Sequence, residues 1–290
     1  MIELMEEKDM TLTFEFITTN GIQLHTALAG HKDGEPVILL HGFPEAWFGW
    51  KNQIEVLVQA GYRVIIPDQR GYNLSDKPAG VDQYNMAVLV DDILGLAENL
   101  GYDQFNLAGH DFGAMVSWSL ALRAPDRIKR MVIANVPHPT VFRNYLRSHP
   151  SQMLKSWYAI FFQLPGLPER FVKASNWKFL TRAMPDYWGE DQYNRYREAW
   201  SQPGAITAMI NWYRATFSRS GTSRKSEEIQ PPTLIIWGKK DPHLSHQMAP
   251  LSLDYCLDGE LVFFEDASHW VQHDKADEVS QLLIDHFQKE

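Results

Sequence analysis

The sequence predicts an α/β protein: a mostly parallel sheet flanked by helices, with a helical lid inserted into it. Three observations carry that prediction. Continuous apolar runs such as Val37-Ile38-Leu39-Leu40 alternate with amphipathic stretches, the pattern of parallel strands covered on both faces. The alternation breaks at Pro137-His138-Pro139, stays broken to about residue 218, and resumes at 232. One stretch, from Phe105 to Met115, joins a buried strand to a helix through a sharp Gly-His-Asp-Phe-Gly turn.

Taken in order, residues 12–19 and 22–29 alternate apolar and polar side chains around Asn20-Gly21, which predicts a β-hairpin. Residues 36–40 read as a buried strand ending in His41-Gly42-Phe43-Pro44-Glu45. A helix near 50–60 stops at Gly61, a C-terminal cap. Residues 62–67 give the next strand, and Asp68 and Arg70 after it are expected to brace the loop as an ion pair. Asn85 opens a helix over 85–100, Leu89, Ile93, Leu96 and Leu100 share one stripe, and Gly101 ends it. The strand and turn at 105–111 lead into a helix that Pro125 stops, and 131–134 form another strand. Residues 138–218 are rich in Trp and Tyr at helical spacings, interrupted by Pro165, Pro168, Pro185 and Pro203. Strands return at 232–237 and 261–264, and a helix near 276–288 closes the chain. The expected division is a core of residues 1–137 and 219–290 and a cap of residues 138–218. The polar stretch 218–226 reads as an exposed return linker.

At 290 residues, with 44% hydrophobic side chains, the chain can bury a sizeable core. A net charge of −9 repels phosphate and argues against a nucleic-acid partner. One cysteine, Cys256, leaves no internal disulfide framework and no cysteine-based metal site, which fits a reducing compartment. His138, His149, His243, His246 and His273 fall at no metal-ligand spacing, so no metal or other cofactor is expected. Residues 1–10 lack the basic-then-apolar pattern of a secretory signal, and no stretch approaches the roughly 20 apolar residues of a spanning helix. The expectation is a cytoplasmic protein with no membrane partner, its oligomeric state open.

In open parallel sheets, ligands bind beyond the carboxyl ends of the strands. His41-Gly42, Asp68, Asp111, Asp241 and His269 all follow predicted strands. The order carboxylate, carboxylate, histidine is that of nucleophile, acid and base around a strand–turn–helix elbow. Asp111 stands at the tip, where the positive end of the helix favours an ionised carboxylate. A serine there would first have to lose its proton; an aspartate is already charged. It can attack a saturated carbon and form an ester, and His269, oriented by Asp241, can then activate water against that ester. Backbone N–H groups of Phe43 and Phe112 are the candidate oxyanion donors. Asp258 and Asp266 compete for the acid position, but strand-end placement after Trp237-Gly238 favours Asp241, whereas the end of the preceding strand offers only uncharged Asn135. His41 and His110 read as structural.

These residues resemble those of the epoxide hydrolases of the α/β-hydrolase fold, the bacterial soluble type in particular. The motifs that carry the resemblance are His41-Gly42-Phe43-Pro44, residues 68–78, Gly109-His110-Asp111-Phe112-Gly113, Trp237-Gly238 with Asp241, and Ser268-His269-Trp270. The similarity spans nearly the whole chain, lid included. It implies an eight-stranded sheet and a cofactor-independent conversion of a small-molecule epoxide and water to a vicinal diol. It also implies two lid tyrosines that hold and protonate the epoxide oxygen. Tyr158, in Tyr158-Ala159-Ile160-Phe161-Phe162-Gln163, matches one, and Tyr213, in Asn211-Trp212-Tyr213-Arg214, matches the other. Each shares a helical stripe with apolar residues, Leu154 and Phe161 for the first, Ile206, Met209 and Phe217 for the second. Phe43, Pro44, Phe112 and Trp270 are the expected pocket walls, and Phe112 departs from the tryptophan usual after the nucleophile. Haloalkane or haloacid dehalogenases share the nucleophile. They typically carry asparagine where this chain has Phe43, or arginine where it has Phe112. A non-catalytic receptor on the same fold is the reading from another class.

Overall fold

The computed structural model describes residues 11–217 and 227–289. The segment 1–10 and the expected linker 218–226 lie outside the described residues. Strands β1 (Thr13–Thr19) and β2 (Ile22–Ala29) form the hairpin, with Asn20 and Gly21 at φ 44° and 75°, the pair of positive angles that a tight two-residue turn demands. Six further strands follow: β3 (Glu35–Leu40), β4 (Tyr62–Pro67), β5 (Phe105–His110), β6 (Ile128–Ala134), β7 (Thr233–Gly238) and β8 (Gly259–Phe264). Together they make one eight-stranded sheet in the order β1-β2-β4-β3-β5-β6-β7-β8. The two β2 pairings are antiparallel and all others parallel. Strands β4, β5 and β7 are buried at every position, which explains why apolar residues dominate them.

Helices α1 (Lys51–Gln59), α2 (Met86–Asn99) and α3 (Phe112–Arg123) cross between strands. Seven more lie between β6 and β7: α4 (Pro139–Ser148), α5 (Pro150–Lys155), α6 (Trp157–Phe161), α7 (Leu167–Ala174), α8 (Lys178–Thr181), α9 (Glu190–Ser201) and α10 (Ala205–Phe217). Among the described residues no strand interrupts them. Helices α11 (Met248–Leu253), α12 (Val271–Asp274) and α13 (Ala276–Phe287) complete the chain, with α13 against α1 and α2 against α3 in two helical layers. The strand order reverses at β3: β4 was added on one side and β5 on the other, so a crevice opens beyond their carboxyl ends. The loop after β3 and the turn after β5 meet there. A Cβ on Gly113 would fall 2.1 Å from the Leu40 carbonyl oxygen, so only glycine lets α3 start this close to β3.

The expected Asp68–Arg70 pair does not form. The chain turns at 69–72, closed by the Tyr72 amide on the Gln69 carbonyl at 2.9 Å, and sends the two side chains apart. Arg70 grips Asp92 of α2 through two bonds of 2.6 and 2.7 Å. Asp68 instead meets His25 of β2 at 2.7 Å and accepts from the Trp47 amide at 2.8 Å.

Candidate active site

Asp111 caps α3 with φ 52° and ψ −122°, a backbone state that costs a side-chain-bearing residue of order 1–3 kcal/mol. Its neighbours hold it there. A Cβ on Gly42 would lie 2.3 Å from the Asp111 Cβ and 2.7 Å from the Phe112 nitrogen, so the β3 loop closes on the elbow only through glycine. The Phe43 amide donates to Asp111 Oδ1 at 2.7 Å. The other carboxylate oxygen, Oδ2, lies 3.5 Å from His269 Nε2, and 18% of the Asp111 side chain stays open.

His269 Nδ1 lies 2.7 Å from Asp241 Oδ2. Asn135, at the position weighed as an alternative acid, donates to that same oxygen at 2.9 Å. The His243 and Leu244 amides donate to Asp241 Oδ1 at 2.7 and 2.8 Å. Four donors therefore fix the Asp241 carboxylate. Asp266 pairs with Lys275 at the surface, away from this cluster. Burial works against charge on both site carboxylates, yet the His269 imidazole outweighs it and holds Asp111 and Asp241 below their ordinary range. Burial would lower His269; Asp241 and Asp111 overcome that and raise it to about 10.

Tyr158 of α6 and Tyr213 of α10 come together over the elbow, ring centroids 5.8 Å apart. Burial first, and then the Asp111 charge among other neighbours, pushes both phenols above their ordinary range, so each keeps its proton. Phe43 and Phe112 pack edge-on against Tyr213 at 5.1 and 4.7 Å, and Phe162 joins them at 4.9 Å. Trp270 flanks His269 at 5.3 Å and donates to the Ala183 carbonyl at 2.9 Å. The Pro44 carbonyl accepts from the Trp200 indole at 2.6 Å. So Phe43 and Phe112 pack against the Tyr213 phenol, while Pro44 and Trp270 are tied to α9 and to the turn after α8. Among the described residues no group of three or more His, Cys, Asp or Glu could hold a metal ion.

Residues 35–276 match the family model of the alpha/beta hydrolase fold. The AB hydrolase superfamily protein YfhM of Bacillus subtilis is 44% identical over 95% of this chain and 98% of its own length. Epoxide hydrolase 2 of Caenorhabditis elegans is 36% identical over 90% of this chain and 76% of its own. The chain belongs to the epoxide hydrolase family. A crystal structure of a mutant epoxide hydrolase from Bacillus megaterium superposes with a TM-score of 0.88 at 30% identity, over 95% of this chain and 100% of that one.

Two further groups in this epoxide hydrolase went unread in the sequence. His243 was weighed only as a metal ligand; its ring stands 5.2 Å from that of His269 and 5.8 Å from that of Tyr158. Burial, with the nearby His269, lowers it to about 4. Its one sequence signal was its place two residues after Asp241. The second group is a buried network around Glu45. That carboxylate meets His273 at 2.7 Å, the Tyr196 hydroxyl at 2.9 Å, Gln272 at 3.1 Å and His110 at 3.3 Å. Burial opposes its charge, but His273 and His110 hold it well below the ordinary carboxylate range. His110 Nε2 lies 2.9 Å from the His269 carbonyl oxygen. His41 bridges the Gly42 carbonyl and the Gln69 amide, both at 3.1 Å.

Proposed function

We propose that the protein converts an epoxide and water into a vicinal diol through a covalent ester on Asp111. Asp111 Oδ2 attacks a ring carbon, and the carbon–oxygen bond of the epoxide breaks. The departing oxygen keeps the electron pair and takes a proton from Tyr158 or Tyr213; as the ester removes the Asp111 charge, the His269 imidazolium gives up its proton to refill that phenol and becomes the neutral base. Water then adds to the ester carbonyl carbon as His269 removes its proton. Charge collects on Oδ1, where the Phe43 amide already sits at 2.7 Å, with the Phe112 amide as second donor. The tetrahedral species collapses, the diol oxygen leaves with the proton that His269 took from water, and the acid proton left on Asp111 passes to His269, which restores the carboxylate and the imidazolium. Asp241 fixes the tautomer and orientation of His269 throughout.

The observation that carries this reading is one juxtaposition. A carboxylate held by an amide on one oxygen and 3.5 Å from an imidazole on the other lies near enough to two protonated phenols for its charge to help hold their protons. The phenols favour an epoxide over a carbon–halogen bond, because a departing halide needs no proton. The test is to replace His269 by Gln, add substrate and weigh the protein. A trapped epoxide adds its whole mass to Asp111; a haloalkane leaves a lighter adduct. An Asp111→Ala variant that still forms diol at the parent rate sinks the proposal. A broad epoxide panel without turnover, together with a tightly held small molecule, would instead favour the receptor.

A further inference from the structure

Seven of the thirteen large hydrophobic side chains that the described residues expose fall between 153 and 171. Leu154 is 75% exposed, Ile160 60% and Trp157 55%. The face is continuous: Trp157 touches Phe161 at 6.3 Å, Phe161 touches Phe171 at 5.7 Å, and Phe171 touches Phe179 at 5.5 Å, linking α6, α7 and α8. Its charge runs against that of the whole chain. Residues 139–182 hold seven Lys and Arg and one carboxylate, Glu169, in a chain of net charge −9. Glu169 is already taken by two bonds to Arg214 at 2.7 and 3.2 Å. Arg170, Lys173, Lys178 and Arg182 flank the aromatic cluster in sequence and are exposed.

We propose that this face docks on an anionic lipid bilayer, with Trp157, Ile160 and Phe171 entering the headgroup layer and Arg170, Lys173, Lys178 and Arg182 resting on lipid phosphates. Exposed apolar area with cations close beside it is what an interfacial segment needs, and indole rings favour the headgroup level. The acidic remainder is repelled by the same surface, which sets a single orientation. A second copy fits worse: a two-fold contact through this patch would press like charges together. The expectation of no membrane partner rested on the lack of a spanning segment. Among the described residues no helix is long and apolar enough to cross a membrane, and docking on a surface requires none.

The test sediments the full chain with vesicles of phosphatidylcholine alone, and of phosphatidylcholine mixed with phosphatidylglycerol. Binding to the mixed vesicles only, weakened by salt, is expected. Arg170→Glu with Lys173→Glu and Lys178→Glu should weaken it about a hundredfold. Trp157→Ser with Ile160→Ser should weaken it about tenfold. Circular dichroism and urea midpoints at the parent value separate lost docking from a lost fold, and no step of the assay depends on turnover. Equal binding to both vesicle types, or binding that survives charge reversal, overturns the proposal. So does a dimer in sedimentation velocity that Trp157→Ser dissolves, since a second copy would then own the face.

Discussion

Asp241 accepts from four donors, and by accepting from Nδ1 it sets the tautomer of His269. Asp241→Asn removes the charge that favours the imidazolium and turns the wrong edge toward Nδ1. Ester hydrolysis should slow by roughly 10²–10⁴-fold, while ester formation persists, so rapid quench should find the alkylated protein accumulating. The phenols belong to the opposite half-reaction. Tyr158→Phe or Tyr213→Phe should each slow ester formation, by about 10²-fold, and the double variant should show none in single-turnover measurements. The catalytic candidates were legible because their local settings are distinctive: glycines either side of Asp111, a strand end before Asp241, a strand end before His269. His243 and Glu45 were not, because their meaning lies in partners far along the chain. Glu45 needs His273 and Tyr196, residues that only the folded chain brings to it. The misread Asp68–Arg70 pair is the converse, proximity in sequence taken for proximity in space.

Among elements, the strands were the most legible and the helices between β6 and β7 the least. Parallel strands buried on both faces announce themselves as apolar runs, and 62–67 was read to the residue. β6 begins at Ile128 rather than 131 because its first turn outward carries Lys129 and Arg130, which hide a strand from any apolar count. Helices α5 to α8 run only four to eight residues, and prolines open the first turns of α4, α5 and α7, breaks that spacing alone does not separate. The β3 loop and the elbow work as one element, so Gly42→Ala should push them apart. A loss of about 1–3 kcal/mol in urea unfolding is expected, together with loss of turnover. The Glu45 network joins the same loop to α9 and α12. Glu45→Ala strands buried His110, His273 and Gln272 without their carboxylate, and should cost about 3–5 kcal/mol by the same measurement.

For the molecule as a whole, the titrating groups set a pH optimum of stability. His269 rises from 6.5 to about 10 on folding, so its contribution is complete below 6.5 and is lost as pH climbs through 10. Asp111 and Asp241 fall below 3.8, so theirs is present above 3.8 and is lost as pH falls through their folded values. His41 and His243 are lowered by burial, His243 to about 4, so their contribution is complete above 6.5 and fades in acid. The urea midpoint should therefore peak near pH 6.5, and His269→Gln should flatten its decline between 7 and 10. The contact between Asp111 and His269 carries one more consequence. Esterification erases one of the two anions beside the imidazole, whose hold on its hydrogen ion weakens just as the phenol that served the opened ring must be refilled. In weakly buffered solution an indicator dye should stay silent during the first turnover of the parent enzyme, and should report hydrogen-ion uptake in His269→Gln, where only the solvent can refill the spent phenol.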